Sequence, residues 1–200
     1  MSVKIVTDST ADLTQVMAKK HDIEVVPLNV HFGEEVFKDG IEITTDQFFD
    51  KLLNGSVFPS TSQPSIGEFI EAYRRIGEPG DEIVSIHISS KLSGTFNSAE
   101  QASKMLEGEM KIHVVDTQQV AITVGLAAIA AARVVKEGGS GDAAASTAKS
   151  LASRSKFFAL FDTLEFLAKG GRIGKAQSML GSMLNVKPLL TLNDGLIEPY

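Results

Sequence analysis

The chain has 200 residues, of which 43% are hydrophobic and 22% charged, values that are ordinary for a globular protein with a substantial core. Its formal net charge is −6 and it holds no run of basic residues, which argues against nucleic acid as the main partner. The absence of cysteine excludes disulfides and thiolate metal sites and fits a reducing cytoplasm.

The sequence predicts neither a signal peptide nor a membrane span. The chain enters an apolar strand within four residues of Met1, without the charged and apolar regions of a signal peptide. The longest apolar run, residues 120–135, contains Thr123 and Arg133 and is largely alanine, so it is too short and too weakly apolar to cross a bilayer. We therefore expect a soluble, cytoplasmic protein.

The first predicted unit is a strand, a hydroxyl-rich turn and a helix. Residues 4–7 form a short apolar strand, and Asp8 follows it. Ser9 or Thr10 is in position to cap a helix that extends to about His21. We interpret Asp8 as a brace of this turn rather than a cation ligand.

A second strand and a second helix follow. Residues 23–32 are almost continuously apolar, as expected of a strand covered on both faces. Residues 33–40 have turn glycines at both ends and predict a hairpin-like excursion. Thr44 or Thr45 begins a helix with one apolar stripe, and Gly55 ends it.

A second concentration of hydroxyl groups lies in residues 59–65. Two prolines hold this segment extended, and Ser65 is in position to cap a helix over residues 66–76. A capping loop alone does not require three hydroxyl groups and a glutamine in succession. The segment is therefore consistent with a binding role as well as a structural one.

The strongest candidate for a binding site is residues 89–99. This polar stretch lies between an apolar strand, residues 83–86, and a predicted helix over residues 98–106. Such a turn offers free backbone N–H groups and the positive end of the helix dipole to an anion. In a parallel sheet, turns of this kind collect at the carboxyl ends of the strands, where ligands bind.

Three residues of this stretch carry the binding hypothesis. Ser93 and Thr95 supply hydroxyl groups, and Gly94 permits close approach to the backbone. A helix cap is the more common role of a serine at such a turn, and the repetition of hydroxyl-rich turns along the chain is what favours a ligand. His87, near the end of the preceding strand, is interpreted as a hydrogen-bonded structural residue.

The next segments are predicted to be scaffold. Residues 111–117 form a strand that ends in Asp116 and Thr117. A long alanine-rich helix to Lys136 and a helix capped by Asp142 follow, and both look like close-packing layers against a sheet.

The composition changes near residue 156. From there the sequence predicts, in order, a strand over residues 157–161, a helix over residues 164–169, a helix from Arg172 to Leu184 and a hairpin over residues 187–200 with an Asp-Gly turn. Because the chain stops in the second strand of that hairpin, we expect further residues downstream.

Several familiar chemistries do not fit the sequence. Residues 170–176 imitate a phosphate loop, but the glycine spacing is one residue short and Ala176 stands where a magnesium-binding hydroxyl belongs. There is no nucleophile elbow, and the four histidines lack metal-ligand spacing. Asp8 and Asp116 both end strands and are interpreted as turn braces.

The remaining pattern is a row of hydroxyl-rich turns with few fixed positive charges. Such turns suit hydrogen bonding to a neutral or singly negative head group. They favour a carboxylate over a phosphate, because phosphate sites usually recruit arginine or lysine.

Five segments, in this order, resemble the DegV family of bacterial fatty-acid-binding proteins, and they cover nearly the whole chain: residues 6–13, 61–65, 89–98, 114–117 and 164–174. The resemblance implies a two-domain α/β architecture. Residues 1–155 would form an N-terminal, mostly parallel sheet flanked by helices. Residues 156–200 would begin a second, incomplete α/β domain.

The resemblance also implies a ligand site without catalytic residues, metal or cofactor. One long-chain fatty acid is buried between or beneath the domains, and its carboxyl group is held by a threonine and a serine that correspond to Thr61 and Ser93. The neighbouring Ser62, Gly94 and Thr95 complete the candidate ligand-binding set.

Family members present the bound acid to a fatty acid kinase that resembles dihydroxyacetone kinase. Arg172 resembles the family's basic residue near the ligand mouth and is a candidate contact for that partner; a salt bridge at a helix start is the alternative. The family continues past Tyr200 with a segment that supplies a histidine to the carboxylate. From the resemblance we therefore expect this chain to be a fragment or a natural short form, with a pocket open on one side.

Two other functions stay open beside the carrier. One is a small phosphotransferase or hydrolase that uses the strand-end edge of Asp8 and Asp116. The other is a non-catalytic regulatory or interaction protein whose pocket is vestigial.

Overall fold

A computed structural model describes residues 2–180 and 187–200. The elements in chain order are β1 (Val3–Asp8), α1 (Gln15–Lys20), β2 (Ile23–Val26), β3 (Asn29–Phe32), β4 (Glu35–Lys38), α2 (Thr45–Asn54), β5 (Ser60–Ser62), α3 (Ile66–Ile76), β6 (Glu82–His87), α4 (Thr95–Met105), β7 (Lys111–Asp116), α5 (Ile122–Lys136), α6 (Gly141–Arg154), β8 (Phe158–Leu160), α7 (Glu165–Lys169), β9 (Leu189–Asn193) and β10 (Leu196–Pro199). Two 3-10 turns, Ser9–Ala11 and Gly174–Met179, lie between them.

A four-stranded parallel sheet in the order β2-β1-β6-β7 forms the centre of the fold. Helices α5 and α6 cover one face, where small side chains such as Ala128 and Ala131 are fully buried against Val84. Helices α3 and α4 cover the other face, where Phe69 packs with Ile83. Because both faces are covered, neighbouring residues of a central strand are both apolar and buried, as are Ile5 and Val6 in β1 and Ile83 and Val84 in β6. The predicted parallel sheet flanked by helices is confirmed.

The apolar run at residues 23–32 is two strands, so the prediction of one strand is wrong. Strand β2 belongs to the parallel sheet, whereas β3 pairs antiparallel with β4 and β5 in a separate sheet. Pro27 stands between them and cannot donate a backbone hydrogen bond, so pairing is interrupted there. The hairpin-like excursion is the β3–β4 pair, and Gly33 turns it with a φ of 65°.

Some predicted helix starts are confirmed and others are wrong. Thr44 and Ser65 cap α2 and α3 through reciprocal capping boxes. Neither Ser9 nor Thr10 caps α1, because Asp12 has a left-handed φ of 52° and ends the short 3-10 turn before the helix. Thr14 caps α1 instead.

Two further helices begin earlier than predicted. Ser140 caps α6, since its hydroxyl accepts from the backbone N–H of Ala143. Asp142 is instead bonded to Lys111 across the surface, 2.8 Å from its ammonium group. Helix α4 begins at Thr95, inside the polar stretch.

The last part of the described chain forms a three-stranded antiparallel sheet in the order β10-β9-β8. The predicted Asp-Gly hairpin is confirmed as β9–β10. The predicted helix from Arg172 is a 3-10 turn over Gly174–Met179, and residues 181–184 of that prediction lie outside the described residues. Leu164 and Leu190 of this part pack against Leu92, which joins the sheet to the end of β6.

No helix in residues 2–180 and 187–200 is long and apolar enough to cross a membrane.

Candidate functional site

The polar turn after β6 lies where the strand order of the parallel sheet reverses. Chain connections lead from β1 to β2 on one side and to β6 on the other, so the switch point lies between β1 and β6. In open α/β sheets, ligands bind outside the carboxyl ends of the strands at such a point. The fold therefore places residues 89–95 at the position where a ligand site is expected.

Hydrogen bonds from the neighbouring strand fix the start of this turn. Asp116, at the end of β7, accepts from the backbone N–H of Ser90 at 3.2 Å and from its hydroxyl group at 2.5 Å. The hydroxyl of Ser89 donates to the carbonyl of Gly195 at 2.8 Å. Asp116 thus braces the turn, as predicted.

Ser93 and Thr95 lie together at the amino end of α4. Their hydroxyl oxygens are 2.9 Å apart, and Ser93 Oγ also accepts from the backbone N–H of Thr95 at 3.3 Å. Thr95 is fully buried and Ser93 is half-buried. Ser93 therefore helps to satisfy the helix start while its hydroxyl group remains within reach of a ligand.

The second hydroxyl segment is the edge strand β5. Ser62 accepts from Asn29 at 3.4 Å and its hydroxyl lies 2.9 Å from Nε2 of His31, so β3 holds it in place. Thr61 pairs with Val30 in the register and is exposed. Within the described residues, no side chain or backbone group bonds the Thr61 hydroxyl.

The two hydroxyl segments meet at Gly94 and Gln63. A Cβ atom at Gly94 would lie 2.8 Å from Nε2 of Gln63, closer than real Cβ contacts. The absence of a side chain at Gly94 thus permits the Gln63 amide to pack on the turn. The structure brings the Thr61 segment and the Ser93 turn into contact through these two residues.

The turn at residues 170–174, which contains three glycines, and helix α7 approach the same two segments. Arg172 Nε donates to the carbonyl of Leu92 at 3.1 Å, and a second guanidinium nitrogen donates to Gly170 at 2.5 Å. The rings of Phe58 and Phe166 stack at 5.9 Å while 40% and 44% of these residues remain exposed. This exposed aromatic surface suits contact with a hydrocarbon chain.

Arg172 does not form the salt bridge at a helix start that was its alternative role, within the residues that the structure describes. In the part of the chain that the structure describes, Arg172 makes no ion pair and bonds only carbonyl oxygens. Its guanidinium group is exposed beside the polar turn.

A buried polar chain behind the turn was missed by the sequence reasoning. Tyr73 donates to Ser85 at 2.8 Å, the Ser85 hydroxyl lies 2.6 Å from His87 Nε2, and His87 Nδ1 lies 2.8 Å from Asp8 Oδ2. All four side chains are fully buried. Burial raises the pKa of Tyr73 far above its usual value, against a smaller lowering by its bond to Ser85. The predicted structural role of His87 fits these contacts.

Ser85, His87 and Asp8 are hydrogen-bonded in the order of a serine–histidine–aspartate triad, but a substrate could not reach them. Ser85 is fully buried, and its oxygen accepts from Tyr73. Asp8 also accepts from the backbone N–H of Ile88 at 3.3 Å and of Thr10 at 3.0 Å. Each group therefore has its partner within the core, and the arrangement is structural.

Asp8 and Asp116 do not form an active carboxylate pair. Strand β6 separates β1 from β7, and each carboxylate is bonded to the turn that follows β6. Both carboxylates of the enzymatic alternative are therefore already hydrogen-bonded within the fold.

One cluster at the opposite edge has the ligand types of a metal site. Glu82, His113 and Asp142 place their ligand atoms within 4.8 Å of one another. The Lys111 ammonium lies 2.8 Å from Asp142 and 3.5 Å from Glu82, so this side chain already neutralises the carboxylates of the cluster. The hydrogen bond to His113 and then the charge of Lys111 lower the pKa of Glu82 against the effect of desolvation.

Two cavities lie away from the hydroxyl segments. One of about 850 Å³ is lined by Ser9, Thr14 and residues around Asp39, and one of about 600 Å³ lies at the amino ends of β1 and β2. Neither cavity is lined by Thr61 or Ser93.

Comparison with known proteins gives a consistent family assignment. A family model described as "Uncharacterised protein, DegV family" matches residues 2–200. A DegV domain-containing protein of Streptomyces coelicolor is 43% identical over 198 residues, which cover 98% of this chain and 69% of that protein.

Solved structures of similar proteins share the fold. One is described as "Fatty Acid Binding of a DegV family Protein" from Thermus thermophilus. It is 42% identical to this chain with a TM-score of 0.90, and the match covers 100% of this chain and 71% of that one. A protein from Eubacterium ventriosum described as stearic acid-binding is 33% identical with a TM-score of 0.87, and the match covers 100% and 70% of the two chains.

Proposed function

Because the chain belongs to the DegV family, as its motifs predicted, we propose that it binds a long-chain fatty acid. The carboxylate accepts hydrogen bonds from the hydroxyl groups of Thr61 and Ser93. Ser62, Gly94 and Thr95 shape the polar end of the site, and the acyl chain contacts the apolar surface near Phe166. The contact between Gly94 and Gln63 is the observation that carries this proposal.

The polarity of the site supports a carboxylate ligand. Hydroxyl groups and the amino end of α4 favour one negative charge. Two positively charged side chains lie at the turn: Lys91 is exposed, and Arg172 is bonded to backbone carbonyls. A doubly charged phosphate would require more fixed positive charge than this arrangement offers.

The proposal includes a carrier role without catalysis by this chain. The bound acid would be presented to a fatty acid kinase that resembles dihydroxyacetone kinase, and the exposed Arg172 guanidinium would contact that partner. A division near residue 155 belongs to the same proposal, with residues 156–200 as the start of a second domain that includes β8, β9 and β10.

Ser93→Ala is expected to weaken fatty acid binding by about 1–3 kcal/mol, because a buried carboxylate oxygen would lose its hydrogen bond. Thr61→Ala is expected to have an effect of the same size. Calorimetric titration with stearate measures both. The methyl ester of stearic acid, which lacks the charge, should bind weakly to the wild-type chain and lose little further affinity in either variant.

Ser146→Ala is the matched control, since Ser146 is an exposed serine on α6. It should bind stearate as the wild-type chain does. Equal stearate affinity in the wild-type chain and both site variants would contradict the assignment of Thr61 and Ser93. Magnesium-dependent turnover of an acyl or phosphoryl substrate by the chain alone would contradict the non-enzymatic role.

A further inference from the structure

The cavity of about 600 Å³ lies at the edge of the central sheet opposite the fatty acid site. Strands β1 and β2 begin at this cavity, and helices α1 and α5 end at it. Apolar side chains line part of it, among them Val3, Ile23 and Val135. Its volume is within the range of small-molecule sites, about 300–1,000 Å³.

Five positively charged side chains line this cavity: Lys4, Lys19, Lys20, Arg133 and Lys136. Two carboxylates, Asp22 and Glu24, also line it, and Glu24 is already paired with Arg75. The concentration of positive charge contrasts with a chain whose net charge is −6. The five residues come from three separate segments of the sequence, so only the fold brings them together.

None of these five side chains has a partner of its own. Across residues 2–180 and 187–200, they make no ion pair and no side-chain hydrogen bond. In the same described ranges, nine other lysines and arginines are paired with carboxylates. Unpaired cations around one concave surface repel each other, and a bound anion would remove that repulsion.

Helix dipoles account for only part of this arrangement. Four of the cations lie in the last turns of α1 and α5, where positive charge is favourable. Lys4 lies on a strand and has no such reason to be there. Arg154, in the last turn of α6, donates to the carbonyl of Ser150 at 3.1 Å, whereas Arg133 makes no such bond to any residue that the structure describes.

We propose that this basic cavity binds a small phosphorylated organic molecule. Lysine ammonium groups and the planar guanidinium of Arg133 suit phosphate oxygens, which carry more than one negative charge. The apolar lining suits an organic group attached to the phosphates. Adenosine diphosphate and inorganic pyrophosphate are suitable probes because they share the phosphate charge and differ in the organic group.

This second site is independent of the fatty acid site. The two lie at opposite ends of β1, which spans about 16–20 Å at the usual rise per residue. A failure of adenosine diphosphate binding would leave stearate binding intact, and a failure of stearate binding would leave the basic cavity intact.

The test is calorimetric titration of the full chain with each probe in the absence of divalent cations. The double variant Lys19→Gln/Arg133→Gln should weaken adenosine diphosphate binding at least about tenfold, since both charges lie at the cavity. Lys149→Gln/Lys156→Gln removes the same charge from exposed, unpaired lysines outside the cavity and should bind like the wild-type chain. Pyrophosphate should bind more weakly than adenosine diphosphate, because it lacks the organic group.

Three results would overturn the proposal. The first is the absence of adenosine diphosphate binding at millimolar concentration. The second is an equal loss of affinity in the two double variants, which would indicate general charge attraction. The third is adenosine diphosphate binding that the cavity variant leaves unchanged, which would place the site elsewhere.

Discussion

Replacing Asp8 with alanine is expected to lower the free energy of unfolding by roughly 3–5 kcal/mol, the usual cost of removing one partner from a buried pair. The variant would leave His87 Nδ1 and the backbone N–H of Ile88 without an acceptor in a site that water does not reach. The hydrogen bonds from His87 to Ser85 and from Ser85 to Tyr73 would lose the carboxylate that fixes which group donates and which accepts. Urea denaturation followed by circular dichroism measures this difference.

Asp116→Ala is the matched control because Asp116 also ends a strand and also braces the turn after β6. Its site is half-buried, so water can replace the lost acceptor, and the expected loss is about 1 kcal/mol. Similar losses in the two variants would show that the buried hydrogen bonds of Asp8 stabilise the fold no more than the half-buried ones of Asp116.

Gly174→Ala is expected to cost about 2–5 kcal/mol of folding stability, from two separate causes. Gly174 has a φ of 54°, which is unfavourable for a residue with a side chain. A Cβ atom there would also lie 2.3 Å from the backbone carbonyl oxygen of Ile197 in β10. The carbonyl cannot move without disturbing the β9–β10 hairpin, which packs on the end of β6.

Gly171→Ala separates the two causes. Gly171 has a φ of 72°, but a Cβ atom there would meet no described atom within 4 Å. Its expected cost is therefore the backbone strain alone, about 1–2 kcal/mol. A Gly171 variant as damaging as the Gly174 variant, in the same urea titration, would contradict the packing explanation.

The same glycine run illustrates what sequence reasoning could reach. Spacing and the alanine at position 176 were enough to reject a phosphate loop. The reason for Gly174 depends on the approach of β10, which comes from more than twenty residues later in the chain. Only the folded arrangement reveals such a contact.

The parallel sheet was predictable because its strands are apolar on both faces and alternate with helices. The split between β2 and β3 was missed, although Pro27 lies between the two strands and β3 alternates polar residues, Asn29 and His31, with apolar ones. The failed cap at Ser9 has a similar origin, because the left-handed conformation of Asp12 is a backbone property that its side chain does not dictate.

The candidate site was only partly predictable. Hydroxyl-rich turns pointed to Thr61 and Ser93, and the family resemblance paired them, but the contact of Gly94 with Gln63 required the structure. The buried hydrogen bonds that link Asp8, His87, Ser85 and Tyr73 could not be predicted from the sequence for another reason. Asp8 and His87 end adjacent parallel strands, whereas Tyr73 reaches Ser85 from a helix on the face of the sheet.

The most direct test of the fatty acid proposal is native mass spectrometry of the purified chain after incubation with stearate. Denaturing extraction would then identify the bound lipid. We expect one long-chain fatty acid bound per wild-type chain, with clearly lower occupancy in the variant Thr61→Ala/Ser93→Ala. A wild-type chain that remains free of lipid, or a double variant with undiminished occupancy, would contradict the account.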